Sequence, residues 1–143
     1  MSTDMKGHTL TTTNGRKVLY LATTAFAAIA LTAIGVADVV RVPAVIQGLT
    51  HLGYPAYLAT ILGIWKLLGV AAILAPGLPR VKEWAYAGLF FTLTGAAVSH
   101  AASGDPLGNI AFPLVLLGVV MASRALLPAR KAVIAAQVPA RAA

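Results

Sequence analysis

Residues Ala56 to Ala75 read AYLATILGIWKLLGVAAILA, and the architecture follows from that run. It is apolar and long enough to cross a bilayer, which takes about 20 residues of helix. Its one charge, Lys66, sits near the middle. A charge there costs roughly 2.5 to 3.5 kcal/mol on insertion scales, so it calls for a partner or a water-filled cavity. Gly63 and Gly69 flank it three residues to either side, on the same helix face. Small residues let membrane helices approach closely, so this face is expected to point into a bundle.

Three further runs match it. Val18 to Ala37, Trp84 to Ala102 and the stretch 107–127 carry almost no charge, and Arg124 falls near the end of the last. With 10% charged residues against 59% hydrophobic, the chain lacks the polar surface that a soluble globule needs. A signal peptide does not fit the first run, because signal cores span about 7 to 15 residues. The expectation is an all-α membrane four-helix bundle over 17–128, with spans at about 18–37, 56–75, 84–102 and 107–127. Residues 1–16 and 129–143 read as tails, the first of them disordered. Between the first two spans, Ala44 to Leu52 is set for two turns of interfacial helix, with Gln47 and either Thr50 or His51 on the wet side. Tyr54, Tyr57, Trp84 and Tyr86 read as a headgroup-level aromatic belt.

Charge sets the orientation. Lys6, Arg16, Lys17, Arg80, Lys82, Arg124, Arg130, Lys131 and Arg141 all fall on one side of the four spans, and among basic residues outside the spans Arg41 alone falls on the other. By the positive-inside rule both termini are cytoplasmic. The net charge of +7 is spread between apolar runs and forms no dense patch, so nucleic acid is not an expected partner. The lipid bilayer is.

The second span then runs from outside to inside, and Lys66 leans outward toward its amino-terminal end. Asp38, Arg41, His51, His100 and Asp105 gather at the same end. The candidate polar site is Lys66, His100, Asp105 and Asp38. Asp38 lies about 15 Å from the midplane at 1.5 Å per residue. A relay from Lys66 through His100 or water to a carboxylate therefore suits the geometry, whereas a direct Lys66–Asp38 contact needs staggered or tilted spans. Each residue also has a plainer role. Lys66 serves equally as a structural plug, His100 as an interfacial histidine, and Asp105 as the turn residue before Pro106. Asp38 and Arg41, three apart, are placed to pair with each other, and His51 reads as a loop residue. Gly63, Gly69, Gly88 and Gly95 are the helix-packing candidates, the last two on a small face with Thr92 and Ser99.

No cysteine is present, which removes disulfides and thiolate metal sites. His51 in a connection cannot face His100 across a haem. No phosphate loop, nucleophile elbow or metal-spaced cluster appears, so no metal is expected and no self-contained catalytic motif is found. Redox work would need a cofactor borrowed from a partner or substrate.

Several short motifs recur in a familiar order: Leu52-Gly53-Tyr54-Pro55, Trp65-Lys66-Leu67-Leu68-Gly69, Glu83-Trp84-Ala85-Tyr86-Ala87-Gly88, Gly95-Ala96, Ser99-His100 and Gly104-Asp105. From Val18 to Pro128 the chain resembles the DoxX-like proteins, small four-helix proteins of bacterial membranes. The family takes its name from a subunit associated with a thiosulfate:quinone oxidoreductase. The resemblance implies a multi-pass protein of the bacterial inner membrane and an accessory or anchoring subunit of a quinone-linked redox system, with a redox protein as partner and quinone or lipid as the bound molecule. The other reading is an independent carrier or enzyme, lone or homo-oligomeric, with an outward pocket at Lys66 and His100 for a lipophilic or anionic molecule.

Overall fold

The computed structural model describes residues 5–127, with side chains from residue 14 onward. Five helices follow one another: α1 Met5–Val39, α2 Pro43–His51, α3 Tyr57–Leu74, α4 Pro79–Ala102 and α5 Leu107–Leu126. The four long ones touch in a ring, α1 to α3, α3 to α4, α4 to α5 and α5 back to α1, while short α2 packs on α1 and α3 at one end.

Buried positions on α1 follow helical spacing: Thr24, Ala27, Leu31, Gly35 and Asp38. Of these, Ala27 and Leu31 meet Val70 and Ile73 of α3, Leu89 and Leu93 of α4, and Leu116 and Val120 of α5 in one core. Outside that core the surface is unusually apolar. Ile29, Phe91 and Leu107 are each more than 70% exposed, which suits a hydrocarbon surround and not water. Three helices are long and apolar enough to cross a membrane: 14–39 within α1, α3 and α5, with mean hydropathies of 1.9, 1.9 and 1.8. Helix α4 has the length, at 24 residues, but Thr92, Thr94, Ser99 and His100 dilute its hydropathy.

Two boundaries differ from expectation. Helix α1 starts at Met5, inside the stretch read as a disordered tail, because once a long helix has nucleated each further turn is inexpensive. The 129–143 tail lies outside the described residues. Helix α4 begins five residues early, at Pro79, a residue that suits the first turn because its missing N–H has no intrahelical partner to lose.

The turns are built alike. At the end of α1, Val42 N–H donates to Ala37 O at 3.0 Å, with Arg41 in the left-handed region at φ 57°. At the end of α2, Tyr54 N–H donates to Leu49 O at 2.9 Å around Gly53; at the end of α4, Asp105 N–H donates to His100 O at 3.0 Å around Gly104. Each is the six-residue closure of a Schellman motif, which stops a helix sharply and aims the chain. All three lie at the end of the ring that α2 caps.

The opposite end carries a different polar group. The hydroxyls of Thr24 and Ser123 lie 2.7 Å apart, and the Tyr86 hydroxyl lies 3.0 Å from Ser123. All three side chains are buried. Tyr86 is therefore a core residue, not a member of the aromatic belt: its ring fills the centre of the packing and its hydroxyl finds a partner there.

Candidate functional site

Gly63 decides where α1 and α3 cross. A methyl group in place of its hydrogen would stand 2.6 Å from the Gly35 carbonyl oxygen and 2.8 Å from Asp38 Cβ. The two backbones are in contact at this level, which only a residue without a side chain allows. One turn further along α3, Lys66 meets Asp38 directly, with its Nζ donating to Oδ2 at 2.5 Å. Both side chains are nearly enclosed, at 13% and 7% exposure. The relay expected through His100 is not how the charge is met. Helix α1 runs on to Val39 and crosses α3 closely enough to bring Asp38 within reach, and Asp38 pairs with Lys66, not Arg41.

His100 belongs to a second group. Its Nδ1 lies 2.6 Å from Asp105 Oδ2, and Nε2 of His51 lies 2.7 Å from Oδ1 of the same carboxylate. An ionised carboxylate only accepts, so both imidazoles donate. The hydrogen bond from His100, and then that from His51, holds the Asp105 carboxyl below the usual carboxylate range. The Schellman turn at Gly104 explains the placement, because it folds Asp105 back over the last turn of α4. With Nδ1–H committed to Asp105, Nε2 of a neutral His100 is left as the basic nitrogen. Among the described residues no three metal-ligating side chains are placed to hold an ion.

The two groups flank one chamber. Asp38, Lys66, Tyr54, Ser99 and His100 line its polar parts, and Leu49, Leu52, Leu58, Leu62, Phe91 and Leu93 its apolar walls, around about 400 Å³. Helix α2 roofs it through Val45, Gly48 and Leu49. Tyr54 and Ser99, their hydroxyls 2.8 Å apart, tie the chain ahead of α3 to α4. Asp105 stands behind His100 and outside the lining. Of the four candidates, then, Lys66, Asp38 and His100 share the chamber and Asp105 orients His100.

The glycines divide. Gly63 makes the close crossing. A methyl group on Gly69 would meet Leu89 at an ordinary 3.8 Å. Gly88 and Gly95 were expected at helix contacts, yet a methyl group on either would meet nothing within 4 Å. They open space instead. Gly95 lines the chamber, and Gly88 lines a groove of about 410 Å³ between α3 and α4.

The family model described as the DoxX-like family matches residues 22–123. The chain belongs to the DoxX-like family. With three helices of membrane-crossing length and hydropathy, it is a DoxX-like membrane protein. No curated protein and no solved structure gives a match. The matched stretch of this DoxX-like chain holds both polar groups and the hydroxyl cluster of Thr24, Tyr86 and Ser123. Two contributors to the site were not found from the sequence. His51 read as a loop residue and Tyr54 as belt, and nothing in the chain order links them to partners 54 and 45 residues away. Away from the site, Glu83 pairs with Arg124.

Proposed function

We propose that this DoxX-like protein is a multi-pass four-helix bundle of the bacterial inner membrane with both termini cytoplasmic, and that it serves as an accessory subunit of a quinone-linked redox system. The observation that carries the reading is the chamber, with mostly apolar walls and polar groups drawn from α1, α3, α4 and the α2–α3 connection. Its volume lies in the range of small-molecule sites. A lipophilic ring with oxygen substituents fits such a lining. Lys66, whose ammonium has donors beyond the one given to Asp38, is the donor for its oxygens, the Leu residues pack its faces, and Nε2 of His100 is placed to take or return a proton. A quinone, when bound, supplies two-electron, two-proton redox chemistry. The chain's own residues bind it, keep it from water and move protons. Asp105 fixes the tautomer of His100, and Asp38 balances Lys66 so that the chamber carries no net charge from that pair. The α2 helix would lie in the membrane interface, with exposed Gln47, Thr50 and His51 toward water.

The test is purification in a mild detergent, followed by solvent extraction of bound small molecules and mass spectrometry of co-purifying proteins. The expected result is an isoprenoid quinone at near-equimolar ratio together with an oxidoreductase. A lone homo-oligomer carrying anionic lipid and no quinone would refute the proposal and favour an independent carrier.

A further inference from the structure

The groove between α3 and α4 adjoins the chamber. Leu62, Lys66 and Thr92 line both, and the two cavities follow one another along α4 from Ser99 to Val81. That is about 27 Å at 1.5 Å per residue, close to the hydrocarbon thickness of about 30 Å. Its polar lining is concentrated in the roofed half. Beyond Lys66 the walls are Trp65, Leu68, Ala72, Val81, Trp84 and Gly88. Lys66 can border an apolar trough because its ammonium is turned to Asp38, leaving its methylene stem as wall.

The seam that holds the trough is tied at its two ends. Tyr54 meets Ser99 at one end, and Lys82 Nζ donates to Ile73 O at 2.6 Å at the other. Among the described residues no side-chain hydrogen bond joins α3 to α4 between those ties. The unroofed half opens sideways through Trp84 at 81% and Trp65 at 67% exposure.

We propose that this groove is the tail slot of the chamber, so that the ligand is a long-chain amphiphile entering laterally from the bilayer. Its polar head lies beneath α2 near His100 and Lys66, and its chain lies along Trp65 and Trp84. The inference rests on the chamber's being the ligand site and adds the chain, the entry route and the orientation. The shared wall of Leu62, Lys66 and Thr92 favours a tail over a partner's helix, since it sets the groove end to end with the chamber that takes the head.

The two tryptophans of the chain both line the slot, so their fluorescence reports occupancy. The test uses the full chain in lipid nanodiscs, titrated with a long-chain isoprenoid quinone and with its tail-less head group. Gly88→Phe fills the slot and Gly95→Phe fills the chamber, each starting from a position with open space above it. Val81→Trp, at the far end of the slot, serves as a second slot variant should Gly88→Phe fail to fold. The wild type is expected to bind both compounds. The slot variants are expected to lose at least about tenfold in affinity for the long-chain quinone, about 1.4 kcal/mol, and to keep that for the head group within about twofold. Gly95→Phe is expected to lose both. Equal effects of the slot variants on the two compounds, or none on either, would overturn the tail slot and leave the chamber standing. Loss of a co-purifying protein with both affinities intact would give the groove to a partner helix and likewise overturn it. A wild type that binds neither compound would overturn the quinone reading and the slot with it.

Discussion

Replacing Gly63 by alanine adds one carbon at the tightest point of the structure. That carbon would stand 2.6 Å from the Gly35 carbonyl oxygen and 2.8 Å from both Asp38 Cβ and Val39 Cγ2. Comfortable carbon contacts begin near about 3.5 Å, so α1 and α3 must separate by about 1 Å. The nearest atom is backbone, which cannot rotate away. Overpacking of this kind costs about 1 to 3 kcal/mol, and the better helix propensity of alanine returns at most about 1 kcal/mol. The same shift stretches the 2.5 Å Lys66–Asp38 contact to about 3.5 Å, past hydrogen-bonding distance. With the full return the net loss from packing is about 0 to 2 kcal/mol, and the opened ion pair adds to it. The controls are Gly88→Ala and Gly95→Ala, which meet nothing within 4 Å and should be neutral or gain up to about 1 kcal/mol. Unfolding by sodium dodecyl sulfate in mixed micelles, followed by tryptophan fluorescence, measures all three. A Gly63→Ala protein as stable as the Gly88→Ala control would refute the close crossing.

Lys66→Leu should cost about 3 to 5 kcal/mol, because it strands Asp38, which is 5% exposed, without its partner. The double variant Lys66→Leu/Asp38→Asn should recover most of that in the same titration, and additive losses would mean the two residues do not act as a pair. Asp105 predicts acid sensitivity of a definite sign. Its folded pKa is depressed, so its contribution is complete above the unfolded value of about 3.9 and fades as pH falls through the lower folded one. The difference in melting temperature between wild type and Asp105→Asn should therefore shrink as the pH is taken below about 4, and a difference that persists unchanged in acid would count against the histidine bonds. A reporter active only in the cytoplasm should signal when fused to the carboxy terminus and stay silent when inserted between Val45 and Thr50; signal from both positions would overturn the proposed topology.

Much of the architecture is local, and it was legible for that reason. Long apolar runs marked α3 and α5 to within a residue or so, and the Pro and Gly punctuation placed α2 at Ala44 to Leu52, one residue from its observed Pro43–His51. The intramembrane lysine announced that it needed a partner. Which partner was not legible, because the answer depends on how far α1 overlaps α3, and that overlap is set by one backbone contact at Gly35 and Gly63. Counted outward along an isolated helix, Asp38 lies about 15 Å from the midplane, out of reach of Lys66. The same applies to Tyr86, which is as aromatic as Tyr57 in sequence, yet one is 1% and the other 63% exposed. Gly88 and Gly95 carry the opposite lesson. A row of small residues reads as a contact, and here it is a space.

The buried hydroxyls of Thr24, Tyr86 and Ser123 bear on how the chain assembles. In lipid, sliding or rotating one apolar helix against another exposes nothing to water, so packing alone discriminates weakly among neighbouring arrangements. Three hydroxyls that satisfy one another across α1, α4 and α5 change that, because any arrangement displaced by a turn leaves them without partners in hydrocarbon. Their contribution is then to fidelity more than to strength: they make the correct alignment recognisable to the chain while it is still choosing among many.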